Sequence, residues 1–586
     1  MSKIKASDAM IKVIEAWGVK TIYGLPGGSF DSTMNALYNR QNSIQYIQVR
    51  HEEAGALAAV GEAKVTGRIG VTFGSAGPGA VHLLNGLYDA KHDGVPLLAL
   101  IGQVPTFNMN KSYFQELNEN PMFEDVAIYN RTVMTAEQLP YVVDEAIRQV
   151  YAHKGVAVVT IPKDLGWQDI EDTYVSTAVH YQKPLLPVPN PEHIDQALAL
   201  LQAAKRPLIY IGLGTRGARE DIMALAKQLK APILSSAPAK GIVPDDFELY
   251  MGSAGRVASK PGVEMLQQAD TIITFGTDMP FQGHFIQDDT TYIQVDIDGT
   301  KFGRRHHVDL AILADAKQTI KALLEKGREL PETDWYRVAL ANKKNWQEWI
   351  TSFEDDDREP LRVEPVFKAI NNMATKDAIF QIDVGNVTID AVRFLKMNDQ
   401  QAFTTSGWYA TMGYALPAAI GAQAAYPDRQ VWSISGDGGW TMNMQDIATA
   451  VKYRMPIINL ILTNESLGFI EAEQDDMPQP HSGIDLMDID FGKAASAIGA
   501  KGFTVHSLAE LKVAFQDAQG ATGPVVIDVK IANDRPLPVE QLRLDSETYD
   551  TDLVRQFTET YETQGLLSFS QLLKNVQSHQ DKKKNV

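Results

Sequence analysis

The sequence predicts an α/β protein of three doubly wound parallel-sheet domains followed by a C-terminal helical tail. Three observations carry this. Short apolar runs alternate with stretches of helical spacing along most of the 586 residues, the rhythm of parallel sheets covered by helices. The apolar runs end repeatedly in Gly-rich or acidic turns, as strands do at the ligand edge of such sheets. Two breaks in texture, a Pro-rich stretch at 181–191 and a charged one at 354–360, divide the chain into units of ordinary domain size. The expected domains are 1–180, 190–345 and 360–535, with a tail at 536–586.

Composition narrows the function. Hydrophobic content of 44% and a mean hydropathy of −0.18 describe an ordinary globular chain. A formal net charge of −19 disfavours nucleic acid and anionic membrane surfaces, both of which reward a basic face. With no cysteine, disulfides, Cys-ligated zinc, iron–sulfur clusters and thiol nucleophiles are excluded. That absence suits a protein that makes an oxidant, and equally a compositional bias. The N-terminal Met-Ser-Lys-Ile-Lys-Ala-Ser-Asp lacks the apolar core of a secretory signal, and no apolar stretch is long enough to span a bilayer. A cytoplasmic location is expected.

In the first unit, helical spacing over residues 9–17 ends at Gly18, and the strand Thr21-Ile-Tyr23 runs into Gly24-Leu-Pro-Gly-Gly-Ser29, a candidate anion turn. The strand Ile44–Val49 delivers Arg50-His-Glu-Glu53 to the start of a helix of small residues reaching Thr66. A carboxylate at that junction stands at the ligand edge or simply caps the helix. Strand Ile69–Phe73 leads into Gly74-Ser-Ala-Gly-Pro-Gly79, a helix over 80–91 and the buried strand Pro96–Ile101. The loop Ser112-Tyr-Phe-Gln-Glu116 follows, and Val156–Ile161 closes the domain.

Residues 181–191 hold four prolines, a semi-rigid linker. Beyond it a second α/β unit begins at Arg206-Pro-Leu-Ile-Tyr-Ile-Gly-Leu-Gly-Thr-Arg-Gly217, with further strands at 232–234, 271–275 and 292–297 and Gly-rich turns at Gly212/Gly214, Gly252-Ser-Ala-Gly-Arg256 and Gly276-Thr-Asp-Met-Pro280. Backbone amides there, with Arg216 and Arg256, suit a dinucleotide's diphosphate, and Asp296, Asp298 and Asp315 suit ribose hydroxyls. The Gly-x-Gly is one glycine short of a full fingerprint, so a spacer domain of the same fold is the alternative.

The third unit starts at Ala378–Asp383 and ends near Pro524–Val529. Inside it, a short apolar run from Val431 ends in Gly436-Asp-Gly-Gly439, a single helix is expected over 442–453, and Ile457–Thr463 stops at Asn464. Two parallel strands joined by a crossover helix would bring Asp437 and Asn464 together at the carboxyl edge. Their oxygens are hard ligands, suited to Mg²⁺ carrying a phosphate-rich cofactor, while the glycines allow close backbone approach. From about 530 the chain turns polar and helix-like. Leu566–Leu573 has amphipathic character, for which packing on the protein surface is expected.

The Gly-Asp-Gly…Asn pair, Arg50-His-Glu-Glu53, Gly74–Gly79 and Met412-Gly-Tyr-Ala-Leu-Pro417 together resemble the thiamine-diphosphate family of 2-keto-acid enzymes over nearly the whole chain. Gln115-Glu-Leu-Asn-Glu-Asn-Pro121, Gly468–Glu473 and Arg535-Pro-Leu-Pro538 resemble its phosphate-dependent pyruvate oxidase branch. The resemblance implies a pyrimidine-binding first domain, an FAD-binding central domain and a diphosphate-binding third domain. Glu52 would bond the aminopyrimidine, a task for a desolvated carboxylate that shares a proton. Met412 would wedge beneath the cofactor, with Gly27, Gly28, Ala410, Gly436, Gly438, Gly439, Gly468, Phe469 and Ile470 lining its site. Asp437, Asn464 and the carbonyl of Ser466 would ligate Mg²⁺. Gly212, Gly214, Arg216, Gly252, Ser253, Gly255, Arg256, Gly276, Thr277, Asp278, Asp296, Ile297, Asp298, Asp315 and Ala316 would hold FAD. Phe114 and Gln115 would approach the reacting centre, Glu473 would sit with Gln115 by the substrate or phosphate, and Gly28 and Ser29 would offer donors to phosphate.

On this resemblance, pyruvate is decarboxylated on the thiazolium, two electrons pass from the hydroxyethyl adduct to FAD, phosphate releases acetyl phosphate, and O₂ becomes H₂O₂. A homotetramer with active sites at subunit interfaces is also implied. The rivals are an acetolactate synthase-type carboligase with non-redox FAD, although Glu471-Ala-Glu473 stands where that branch resembles Gln-Trp, and a quinone-linked oxidase. A non-oxidative decarboxylase would show a His pair in the first domain, whereas the adjacent His306-His307 lie in the central one.

Overall fold

A computed structural model describes residues 2–278, 286–477, 479–537 and 565–584, with backbone alone for 580–584. Met279 and Pro280 of the 276–280 turn, Pro538 of the Arg535–Pro538 stretch, and residues 538–564 and 585–586 of the tail lie outside it. Two compact units emerge: 1–184 with 377–387 and 404–530, and 185–376 with 388–403 and 531–586.

The first unit contains two six-stranded sheets. One is built from β2 (Thr21–Gly24), β3 (Gln45–Gln48), β4 (Gly70–Gly74), β5 (Leu97–Gln103), β6 (Ala127–Thr132) and β7 (Val156–Pro162), in the order β3-β2-β4-β5-β7-β6 and parallel throughout. The short β1 (Lys3–Lys5) pairs antiparallel with β8 (Asp169–Glu171) beside it. β4, β5 and β7 are buried along their whole length, which is why they read as continuous apolar runs.

The other sheet comprises β15 (Ile379–Ile382), β16 (Ala402–Thr405), β17 (Val431–Gly436), β18 (Ile458–Thr463), β19 (Lys501–Val505) and β20 (Val525–Lys530), in the order β16-β15-β17-β18-β20-β19. β15, β17, β18, β20 and β19 run parallel, with Gly436 opposite Leu462, so both predicted motif strands end level with each other.

The helices Glu52–Thr66 and Ala415–Ala425 bring these two sheets together. Both are rich in Ala and Gly, and the approach is close: a Cβ on Gly61 would strike the Ala418 backbone and one on Gly421 the Ala58 carbonyl. Such helices have no one-sided apolar stripe because they are buried nearly all round.

The second unit is one parallel sheet of β9 (Pro207–Ile211), β10 (Ile233–Ser235), β11 (Tyr250–Ser253), β12 (Thr271–Phe275), β13 (Thr291–Asp296) and β14 (Leu310–Leu313), ordered β11-β10-β9-β12-β13-β14. The tail packs here as expected. Leu566 and Leu572 are buried, the Phe569 ring lies 6.1 Å from that of Trp335, and the Gly565 carbonyl accepts from Asn345.

Two helical expectations need correction. Residues 442–453 are not one helix: Asp437–Asn443 and Ile447–Lys452 flank a 3₁₀ turn at Met444–Asp446. The interruption has side-chain causes. The Asn443 amide donates to the Gly413 carbonyl, and Asp446 accepts from the Arg50 amide, so both residues serve neighbouring segments. The helix expected over 80–91 is likewise two pieces, Pro78–His82 and Leu84–His92.

Candidate cofactor-binding site

The C-terminal sheet places Asp437 and Asn464 directly after β17 and β18. Asp437 is 4% exposed, and its two carboxylate oxygens accept from the Gly438 and Glu465 amides at 2.9 and 2.8 Å. Glu465 takes a left-handed backbone, φ 58°, which turns its N–H toward that carboxylate. Burial pushes the Asp437 pKa up, the two amides pull it down, and the nearby Asp528 adds repulsion. A divalent cation would offset the desolvation that opposes this charge. Asn464 accepts from the Ser466 amide at 3.4 Å, and Ser466 bridges antiparallel to Asp485, which fixes the turn after β18. An all-oxygen donor set of this kind fits Mg²⁺ rather than a softer ion.

The glycines beside it do different jobs. A Cβ on Gly436 would meet nothing within 4 Å, leaving open space above the strand end. One on Gly438 would lie 2.9 Å from Leu467 and 3.2 Å from Met412, and one on Gly439 would press on Asp383. Met412 therefore lies against the Gly-Asp-Gly turn. Asp383, fully buried and read from the sequence only as a strand end with no site role, holds this cradle: it accepts from the Val384 and Gly413 amides at 2.8 and 2.9 Å and from Ser435 at 3.0 Å. A strand-ending Asp two strands before the motif along the chain, on the strand that pairs with β17, was the signal for it. Ala410 has φ 58° in the same loop. Gly468 starts the helix Gly468–Asp476, which carries Phe469, Ile470 and Glu473, and a Cβ on it would crowd Asn386 and Asn464. A diphosphate-Mg²⁺ group fits this cradle by donor chemistry and by space.

On the N-terminal sheet, Glu52 opens the helix Glu52–Thr66 and is 6% exposed. One carboxylate oxygen is 2.9 Å from His82 Nδ1, and the other lies 3.0 Å from where a Gly79 Cβ would be. His82 stacks on His51 with ring centroids 4.4 Å apart. This His pair escaped the sequence reading because its members are 31 residues apart; only the β3 and β4 loops bring them together. Gln115, at φ 63°, sets its backbone against Gly77, while the Phe114 side chain is 77% exposed. The Ser29 hydroxyl bonds Ser75 at 2.8 Å and accepts from the Ala76 amide at 2.9 Å. Gly27 and Gly28 precede it, with Lys163 near Gly28 and ion-paired to Asp31 at 3.0 Å.

The site thus has two parts within the first unit. Glu52 bonds His82 on the N-terminal side, and Asp437 accepts from Gly438 and Glu465 at the ends of β17 and β18. Glu53, the next residue, does reach across: it accepts from Asn85 at 2.8 Å and from Asn443 at 3.4 Å, and Asn85 also donates to Thr411.

The central sheet reverses strand order between β9 and β12, where open α/β sheets take ligands. Gly212, Gly214 and Gly276 meet there; a Cβ on Gly214 would lie 2.7 Å from the Gly276 Cα. The expectation that their amides are exposed for a diphosphate needs revision. Those of Gly212, Gly214 and Gly276 donate to the carbonyls of Phe275, Gly276 and Val295, and that of Arg216 to Leu213. Asp278 faces Arg304 and Arg305 at 3.4 and 3.3 Å. Asp298 caps the 3₁₀ turn at Gly299–Lys301, and Asp315 caps the helix Ala316–Lys326. Asp296, raised in pKa chiefly by burial, accepts from the Asp298 amide, and Ile297 between them is 40% exposed. Ser253 is buried at the end of β11 between Gly252 and Gly255, both at positive φ; Thr277 is buried and Arg256 exposed. The close-packed strand ends and buried Asp296 fit a dinucleotide, but the anchoring amides must come from residues other than these glycines and Arg216.

Comparison with known proteins agrees with this anatomy. Family profiles for the thiamine pyrophosphate enzyme N-terminal TPP-binding, central and C-terminal TPP-binding domains match residues 4–122, 194–323 and 383–529. A pyruvate oxidase of Lactiplantibacillus plantarum is 48% identical over 580 residues, covering 98% of this chain and 96% of its own. A thiamine pyrophosphate-containing protein of Bacillus subtilis is 40% identical, covering 92% and 93%. The acetolactate synthase isozyme 1 large subunit of Escherichia coli is 29% identical, covering 90% and 94%. With all three domain profiles in order and relatives of this identity along its length, the chain belongs to the thiamine pyrophosphate enzyme family.

Proposed function

We propose that this enzyme is a phosphate-dependent pyruvate oxidase, converting pyruvate, phosphate and O₂ to acetyl phosphate, CO₂ and H₂O₂. The observation that carries this reading is the 48% identity to a pyruvate oxidase across nearly both chains, against 28–31% for acetolactate synthases. When bound, thiamine diphosphate supplies a nucleophilic carbon and an electron sink for decarboxylation, and FAD takes the electron pair on to oxygen.

Asp437, Asn464 and the Ser466 carbonyl would hold Mg²⁺, with the helix start at Asp437 and the open space over Gly436 receiving the diphosphate. Met412, held by the Gly413–Asp383 bond, would set the height of the cofactor above the turn. Glu52 would hold or release a proton at the aminopyrimidine nitrogen, in a site dry enough for one proton to be shared. His82 bonds the same carboxylate and would yield an oxygen to that nitrogen. Phe114 and Gln115 would close over the reacting centre, excluding water. Glu473 would orient substrate, and Gly28 and Ser29 would bind phosphate, with Lys163 adding positive charge. The FAD residues proposed are those named on the central sheet, with the amide contacts reassigned as above. The domain limits 1–180, 190–345 and 360–535 and a homotetrameric assembly are part of the same proposal. Among the described residues, no helix is long and apolar enough to cross a membrane.

Purified protein loaded with thiamine diphosphate, Mg²⁺ and FAD should release peroxide from pyruvate in air only when phosphate is present, and pyruvate should bleach the flavin without oxygen. Acetolactate formation with unbleached flavin would assign the carboligase reading instead.

A further inference from the structure

We propose that His51, Glu52 and His82 form a second cation site, for a borderline transition-metal ion such as Zn²⁺, whose occupation withholds Glu52 from the cofactor. One donor atom from each residue lies within 4.8 Å of the other two. Glu52 is almost wholly buried, and both histidines are partly exposed, so the carboxylate is fixed while an ion has a way in. The 2.9 Å contact between His82 Nδ1 and the Glu52 carboxylate brings two donors about as near each other as ligands of one small ion stand.

Donor chemistry separates this cluster from the site at Asp437. Two imidazoles and one carboxylate suit Zn²⁺, Co²⁺, Ni²⁺ or Cu²⁺, whereas the Asp437–Asn464 oxygens suit Mg²⁺. One polypeptide thus sorts two classes of divalent ion by ligand softness. The backbone supports the cluster: the Arg50 amide donates to the buried Asp446, fixing the turn before His51, and the helix behind Glu52 is locked by Gly61 against Ala418. Metal binding here stands on its own; the competition with cofactor rests on the role proposed above for Glu52.

The test uses the full chain freed of Mg²⁺ and thiamine diphosphate, titrated with Co²⁺ for its ligand-field absorption and with Zn²⁺ against a chromophoric chelator. One equivalent should bind with a four- or five-coordinate Co²⁺ spectrum. His51→Asn and His82→Asn should each weaken binding at least about tenfold. His481→Ala, altering an exposed His–Asp pair elsewhere, should leave it unchanged. On wild-type protein, where folding is not in question, thiamine diphosphate with Mg²⁺ should displace the Zn²⁺. Wild-type affinity in both His51→Asn and His82→Asn overturns the site. Simultaneous binding of Zn²⁺ and cofactor at undiminished affinities overturns the competition. Neither measurement involves pyruvate, so a different catalysed reaction would leave the metal result intact.

Discussion

The sheet of the second unit and the C-terminal sheet of the first differ in strand order, yet each has a point where that order reverses, with different readiness for a ligand. In each, a Gly-rich turn follows a buried parallel strand near the point where strand order reverses, and acids stand at the strand ends. At the C-terminal turn, main-chain amides hold the Asp437 carboxylate, and the space over the preceding Gly436 is open. At the central turn the glycine amides are spent on neighbouring carbonyls, and Asp278 is neutralised by two arginines. Topology therefore marks where a ligand can sit, and the state of the polar groups decides whether the turn itself grips it.

The largest effect should fall on neither turn but on Glu52, which would act on the cofactor rather than anchor it. Glu52→Gln should still bind thiamine diphosphate but slow hydrogen–deuterium exchange at its C2 by about two orders of magnitude or more. Unchanged exchange, read by NMR after acid quench, would remove Glu52 from that role. Next is Asp437→Asn, expected to weaken Mg²⁺-dependent cofactor binding roughly a hundredfold in calorimetry while flavin content stays at the wild-type level. Equal losses of both cofactors would erase the contrast between the two sheets. Gly276→Ala is the central counterpart. Its positive φ and the contact with Gly214 predict about 1–3 kcal/mol of destabilisation in denaturant unfolding, with flavin lost and thiamine diphosphate binding retained; a variant as stable as wild type would show that the strand ends can separate.

The smallest effect is one of pH. Because burial raises the Asp437 pKa, its neutral form is the one the metal-free fold prefers, and that contribution is lost as pH rises through the raised value. Mg²⁺ pairs with the ionised form. The gain in Tm on adding Mg²⁺ should accordingly be larger at about pH 7.5 than at about pH 5, one unit or so above the ordinary Asp value. A gain independent of pH would mean that Asp437 does not meet the ion.

Much of the cofactor cradle was legible because its signals are local. The strand before the Gly-Asp-Gly turn starts at Val431 as expected, and the one read at Ile457–Thr463 starts one residue later; both are mainly apolar runs punctuated by Gly and Asn. What escaped depends on contacts between distant segments. Edge strands such as β6 and β19 are half exposed and mixed in composition, so periodicity does not flag them. The break at Met444–Asp446 comes from Asn443 and Asp446 serving Gly413 and Arg50, partners no local window contains. The stacking of His51 on His82, and the spending of the Gly212 and Gly214 amides, follow from loop closure across neighbouring strands. Spacing along the chain carries no record of either.

The seam between the helices Glu52–Thr66 and Ala415–Ala425 has a bearing on how this protein can change. Gly61 and Gly421 have no room even for a methyl group, and Ala418 and Ala58 are the residues they press on, so a saturation library should be stripped of everything but glycine at 61 and 421 and of every larger residue at 58 and 418, although none of the four would touch a ligand. Selection at those sites would read as functional in any survey of tolerated substitutions, when what is selected is the stiffness of the rail on which Glu52 is mounted.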